Sequence, residues 1–178
     1  MKQTEPLYCS SFETPVGPFS VAVDSAGTVI ATAFGDERSP GPRSPFAGAI
    51  RDEAKTAQAR GQVASYFRSA DTAFSLKLAP SGTAFQKRVW AAMLAIPPGQ
   101  TRSYGEIARE LGSSARAVGQ ASGANPICLI IPCHRVIGSD GSLTGFAFGE
   151  ATKRWLLDHE GAITQGSLPL AGSQGRTP

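Results

Sequence analysis

Ile127-Cys128-Leu129-Ile130-Ile131-Pro132-Cys133-His134-Arg135 is the stretch on which the reading of this chain turns. Its first five residues form a continuous apolar run, which predicts a short buried strand, and the run delivers a thiol, an imidazole and a guanidinium in consecutive positions. In extended backbone Cys128 and Cys133 point to opposite faces and cannot pair. The thiolate is the nucleophilic form of cysteine and a base must remove its proton at neutral pH, so a thiol beside an imidazole is raw material for nucleophilic catalysis. Adjacent side chains diverge, so cooperation between Cys133 and His134 requires a bridging water or an unusual turn. Taken alone, the pair reads more readily as a buried cysteine next to a core histidine.

Working outward, the half of the chain from residue 81 is mainly helical. Thr83 followed by Gln86 is a capping-box pattern, and Phe85, Val89, Met93 and Ile96 recur at helical spacing until Pro97-Pro98-Gly99 ends the run. A second helix starts at Ser103 with Glu106 three residues on, turns Ile107 and Leu111 inward and ends at Gly112. A third runs from Ala115 to about Ser122 after Ser113-Ser114, so the pair forms a helix-turn-helix pattern, which also occurs in proteins that never touch DNA. Downstream of the apolar run, Gly138-Ser139-Asp140-Gly141 and Gly145-Phe146-Ala147-Phe148-Gly149 are glycine-rich loops. A last helix carries Ala151, Trp155, Leu156 and His159 and ends at Gly161. The Gly-, Ser- and Pro-rich stretch 164–178 reads as a disordered tail.

The first 80 residues have a different pattern. Phe19, Val21 and Val23 alternate with small or polar neighbours, Val29 to Phe34 is a second β-rich run after the Ser25-Ala26-Gly27 turn, and Pro15-Val16-Gly17-Pro18 is a further turn. Residues 35–48 have no periodicity and read as an exposed, mobile connection. A helix is expected over 49–68 with Ile50, Ala54, Ala57, Val63 and Phe67 toward the sheet, then a closing strand from Phe74 to Leu78. Ala79-Pro80-Ser81-Gly82 marks the boundary between a first domain, 1–80, and a second, 81–163.

The whole chain has 178 residues, 41% hydrophobic and 17% charged, and no apolar run near the roughly 20 residues a membrane helix needs. The expectation is a globular protein with no membrane partner. Met1 to Pro6 lacks the apolar core of a secretion signal, which predicts an intracellular, reducing, cytoplasmic setting. The net charge of +3 resides in the second half, with nine Lys/Arg against six Asp/Glu, while the first half balances at eight each. That excess alone fits either a solvated surface or a phosphate-bearing partner. Three cysteines without C-x-x-C spacing argue against a disulfide framework, and two histidines, both late in the chain, argue against a metal site.

Asn125-Pro126, the apolar run, Pro132-Cys133-His134-Arg135-Val136-Ile137 and Arg154-Trp155-Leu156-Leu157-Asp158-His159-Glu160-Gly161 together resemble the O6-alkylguanine-DNA alkyltransferase family, colinearly from Phe85 to Gly161. Residues 1–80 resemble that family's variable N-terminal domain in strand pattern and in the Thr14-Pro15-Val16-Gly17 turn. The resemblance implies an α/β protein: a small ribonuclease-H-like domain followed by a mainly helical domain with a helix-turn-helix. It also implies direct DNA repair, with the alkyl group of guanine O6 moved irreversibly to the protein's own Cys133. By the same resemblance no cofactor or metal is expected, the expected partner is double-stranded DNA approached through the minor groove with the base flipped, and the protein is expected to work as a monomer.

By the same resemblance Cys133 is the acceptor, His134 the base acting through a water, and Glu160 the carboxylate that orients the imidazole, a hydrolytic triad whose last step is missing because a thioether has no good leaving group. Read without the motif, Glu160 is a surface charge before a C-terminal glycine, and Glu160→Gln is expected to cost little stability. Tyr104 matches the tyrosine that hydrogen-bonds the flipped base, Asn125 the asparagine that braces the turn, and Arg116 the finger that fills the vacated stack. Ala115, Ala117 and Gly119 are the small residues around that finger, and Val136, Phe146, Ala147 and Phe148 match the pocket. Two departures stand out: Phe146 where the family commonly has Tyr, and Phe148 where many members have Gly, which resembles the subset with narrower pockets. The rival readings are a non-enzymatic lesion recogniser or transcription regulator using the helix-turn-helix, and a cysteine hydrolase.

Overall fold

The computed structural model describes residues 5–36 and 46–163. The predicted tail at 164–178 and most of the predicted connection at 35–48 lie outside these, although Phe46 at the end of that connection is buried rather than exposed.

In the first half, β1 (Tyr8–Thr14), β2 (Gly17–Val23) and β3 (Val29–Phe34) form an antiparallel meander, and β4 (Ile50–Arg51) pairs in parallel with β1, giving the order β3-β2-β1-β4. The β1–β2 hairpin turns at the predicted site, with Thr14 opposite Gly17. From Phe19 on, β2 is buried on both faces, as expected of the middle of a covered sheet.

Helix α1 (Glu53–Arg68) crosses this sheet. Its start is set by Asp52, whose side chain accepts from the Lys55 amide at 2.9 Å. The buried face is Thr56, Ala59, Val63 and Tyr66. This corrects the expected face: Ile50 is an edge-strand residue, and Ala54 and Ala57 are exposed. A threonine hydroxyl can face a sheet when it has partners, and Thr56 Oγ1 lies 2.6 Å from Ser10 Oγ and 2.9 Å from the Asp52 carbonyl.

The expected closing strand at Phe74–Leu78 reduces to one residue. Only Leu78 bridges to Val29, with the Val29 amide donating to Lys77 O at 2.8 Å and the Ala79 amide to Val29 O at 3.0 Å.

The second half contains α2 (Ala84–Leu94), β5 (Arg102–Ser103), α3 (Tyr104–Leu111), α4 (Ala115–Gly123), β6 (Val136–Ile137) and α5 (Glu150–His159). Both expected capping boxes are present, Thr83 with Gln86 and Ser103 with Glu106. Gly112 ends α3 in the left-handed region at φ 63°, where a glycine pays no Cβ penalty. The buried indole of Trp90 on α2 donates to Ala121 O on α4 at 2.8 Å. One apolar core joins the halves, with Phe19, Val63 and Tyr66 from the first and Met93, Ile107 and Leu156 from the second.

Candidate active site

The apolar run is buried as expected but is not a strand. Residues 127–131 fold into a tight turn in which the Ile131 amide donates to Ile127 O at 2.9 Å and Leu129 takes φ 71°. Asn125 clamps both ends: its Nδ2 donates to Ile131 O at 2.9 Å, and its Oδ1 accepts from the Ile127 amide at 3.0 Å. The turn is apolar because it is enclosed between the two halves. On its outer side β3 grips it, with the Thr32 amide on Pro126 O at 2.9 Å and the Thr32 hydroxyl on Cys128 O at 2.6 Å. The turn feeds a single 3-10 turn, Cys133–Arg135, that presents the thiol and imidazole. Cys128 and Cys133, no longer on opposite faces of a strand, line one cavity, and none of the three cysteines is in a disulfide.

His134 is fully buried, and its Nε2 lies 2.7 Å from Glu160 Oε1. Glu160 is the residue that caps α5, and it is buried, which corrects its reading as a surface charge. Its carboxylate also takes a bidentate grip from Arg135, Nε to Oε2 and Nη2 to Oε1 at 2.9 Å each, and the Tyr66 hydroxyl donates to Oε1 at 2.7 Å. Burial alone would raise the Glu160 carboxyl, but the hydrogen bonds and charges of His134 and Arg135 overcome it and hold the group at about 2. An ionised Glu160 requires His134 Nε2 to carry the proton. The free lone pair is then on Nδ1, which is buried and has no hydrogen-bond partner among the described residues.

Burial pushes the Cys133 thiol up, with the Asn125 side chain and the positive charge of Lys153 partly opposing, and pushes the His134 imidazole down despite Glu160. The resting pair is therefore a neutral thiol and a neutral imidazole. Lys153 is fully buried on α5. Its Nζ donates to Val136 O at 2.5 Å and lies 5.8 and 5.9 Å from the ring centres of Tyr104 and Phe146. Burial brings its ammonium down to about 8, offset in part by Cys133 and Glu150.

Cys133 opens on a cavity of about 40 Å³ walled by Tyr104, Asn125, Phe146, Ala147 and Phe148. Val136 lies outside that lining, buried in β6 with its carbonyl held by Lys153. Burial raises the Tyr104 hydroxyl above its ordinary value. Arg116 and Ala115 are exposed at the start of α4, and Gly119 faces Tyr104, where an added Cβ would sit 3.9 Å from the ring. Among the described residues no group of three or more His, Cys, Asp or Glu side chains is placed to hold a metal ion.

Residues 84–162 match the 6-O-methylguanine DNA methyltransferase, DNA binding domain. Over 159 residues the chain is 43% identical to the methylated-DNA–protein-cysteine methyltransferase of Methanosarcina acetivorans, covering 88% of this chain and 99% of that protein. The chain belongs to the methylated-DNA–protein-cysteine methyltransferase family. The Mycobacterium leprae member is 41% identical over 166 residues, covering 92% of this chain and 98% of its own. The structure of the Mycobacterium tuberculosis O6-methylguanine methyltransferase superposes with a TM-score of 0.79 at 39% identity, covering 91% and 97% of the two chains. The same organism's protein in complex with DNA gives 0.76 at 39% identity, covering 87% and 93%.

Within this family frame, sequence reasoning missed three residues that the site uses: Tyr66, Arg135 and Lys153. Arg135 is visible in the motif, but its pairing with Glu160, like that of Tyr66, carries no local signal, since that partner is distant in the chain. Lys153 had one, because it shares a helical stripe with Leu156, Leu157 and Glu160, and a charge on an inward stripe needs a reason.

Proposed function

We propose that the protein repairs DNA directly, moving the alkyl group of O6-alkylguanine onto Cys133 in a single irreversible turnover. The observation that carries this is the buried Cys133–His134–Glu160 array, whose Cys133 lines a small cavity, in a chain of this family. The Cys133 proton passes through a water to His134 Nδ1, whose tautomer Glu160 fixes. Sγ then attacks the alkyl carbon; the S–C bond forms as the C–O6 bond breaks, and the electron pair stays on the guanine. Tyr104 supplies a hydrogen bond to the departing base, which lowers its cost as a leaving group. The guanine anion takes up a proton from solvent, balancing the one that His134 Nδ1 has accepted and later releases, and the thioether remains on the protein because nothing can displace it.

The partner is double-stranded DNA. Its minor groove receives α4, the damaged base turns out into the cavity, and Arg116 occupies the space left in the stack. The exposure of Arg116 at the start of α4 supports this. One copy of the chain is proposed to act alone. A three-stranded meander with a fourth strand parallel to β1 supports a ribonuclease-H-like first domain, 1–80, ahead of an alkyltransferase domain, 81–163. The rivals predict no covalent product or many turnovers. Intact mass after incubation with an O6-methylguanine duplex should rise by one methyl, mapped to Cys133. An unchanged mass, or turnover beyond one equivalent, overturns the reading.

A further inference from the structure

The cavity wall is a loop with little of its own to hold it. Gly145 and Gly149 bound it at φ 83° and 92°, and Gly145, Ala147 and Gly149 are exposed, so only Phe146 and Phe148 turn toward the protein. Their rings meet at 5.6 Å between centroids, and both lean on Phe34, 5.3 Å from Phe148 and 6.5 Å from Phe146. Phe34 is the last residue of β3. It sits opposite Phe19 in the β2–β3 pairing, with ring centroids 5.0 Å apart, and Phe19 is fully buried. A continuous line of rings thus runs from the sheet of the first half to the wall of the cavity in the second.

We propose that Phe34 determines substrate specificity by bracing Phe148 and Phe146 from behind, fixing the width of the cavity and excluding O6 substituents bulkier than a small alkyl group. The proposal rests on the reading of this cavity as the alkylguanine pocket. A ring carried on a loop can yield to a larger ligand only if there is room behind it, and Phe34 fills that room. Phe34 does not line the cavity and so cannot act by touching substrate. Phe146 and Phe148 wall the cavity, so a group as broad as O6-benzyl needs these rings to retreat. On its α5 side Phe146 has the buried Lys153 Nζ 5.9 Å from its ring.

The test uses the full chain and compares wild type, Phe34→Ala, Phe148→Gly and the double variant, with rate constants for an O6-methylguanine duplex and for free O6-benzylguanine. Phe34→Ala should raise the benzyl-to-methyl rate ratio by about tenfold or more, and Phe148→Gly should raise it as well. The double variant should gain nothing beyond Phe148→Gly, because a brace has no effect once the wall is gone. A general loosening of the fold would lower both rates and leave the ratio unmoved, and that result overturns the proposal, as does a ratio equal to wild type at full methyl transfer. Independent gains in the double variant overturn it too. If Phe34→Ala does not fold, Phe34→Leu takes its place, with an increase of roughly threefold expected and an unchanged ratio overturning the idea. Absence of methyl transfer by wild type would instead strike at the proposed function beneath it.

Discussion

Tyr66 in the first half donates its hydroxyl to Glu160 Oε1 at 2.7 Å, the same oxygen that His134 Nε2 engages. The helix that covers the sheet therefore supplies one support of the Glu160 carboxylate. Tyr66→Phe removes that donor and nothing else. It should cost roughly 1.5–3 kcal/mol of stability, the range for a hydrogen bond to a charged group. It should also concentrate the Glu160 charge on His134, raising the imidazole's proton affinity. The pH profile of methyl transfer should shift upward relative to wild type, and an unshifted profile would mean that Tyr66 serves packing only.

Glu160→Gln should reduce transfer strongly, because His134 loses the partner that sets its tautomer. The expectation that this change spares stability does not survive the geometry. Neutralising Glu160 strands the buried Arg135 guanidinium, and breaking one partner of a buried pair costs roughly 3–5 kcal/mol. Urea unfolding of the variant at neutral pH measures the loss, and a midpoint equal to wild type would contradict the pairing.

Acid should unfold the protein through the same cluster. Glu160 is held at about 2 against an ordinary 4.5, so its contribution is fully present above 4.5 and is lost as pH falls toward 2. His134 works in the same direction from a higher starting point: its imidazole is held below 6.5, so the unfolded chain takes up that proton first. Unfolding free energy should fall steadily with pH below 6.5 and most steeply below 4.5. Glu160→Gln should flatten the lower segment, and identical slopes in the two proteins would exclude Glu160 as the source.

Cys133→Ala should abolish transfer while leaving DNA affinity within a few-fold, since binding draws on phosphate contacts and stacking. Cys128→Ala and Cys9→Ala should still transfer. Cys128 provides the sharper comparison because it lines the same cavity. Methyl recovered on Cys128 of the wild type by peptide mapping would displace Cys133 as the acceptor.

Arg116→Ala should slow repair of duplex DNA far more than dealkylation of the free base, which needs no flipping. Extrusion costs a few kcal/mol of stacking that the guanidinium partly restores. Rates on both substrates decide the matter, and equal losses would show that Arg116 supports the fold or the pocket.

What could be read in the sequence was what is decided locally. Thr83 with Gln86, Ser103 with Glu106, and Gly112 state their helix ends within four residues, and all three are where the pattern puts them. The run at 127–131 misled because apolar composition reports burial and not backbone shape. What bends it is Asn125, whose amide reaches both ends of the turn, together with a left-handed Leu129 that no propensity favours. Thr56 gives no sign of burial in the sequence of α1 because its partner Ser10 is 46 positions away. The Cys133–His134 pair and Glu160 were legible through the motif, but the arginine and tyrosine that hold Glu160 are contacts of the folded chain alone.

The grip of β3 on the acceptor turn gives the molecule a record of its own use. A methyl added at Cys133 takes up room in a cavity of only about 40 Å³ and is expected to press on the turn behind it, a strain of roughly 1–3 kcal/mol. That turn is tethered on its far side through the Thr32 amide to Pro126 and the Thr32 hydroxyl to Cys128. Crowding inside is therefore expected to pull on the sheet outside. Hydrogen exchange at the Thr32 amide becomes a gauge that distinguishes an expended molecule from a fresh one without observing the alkyl group, and it registers in the half of the chain that carries no acceptor.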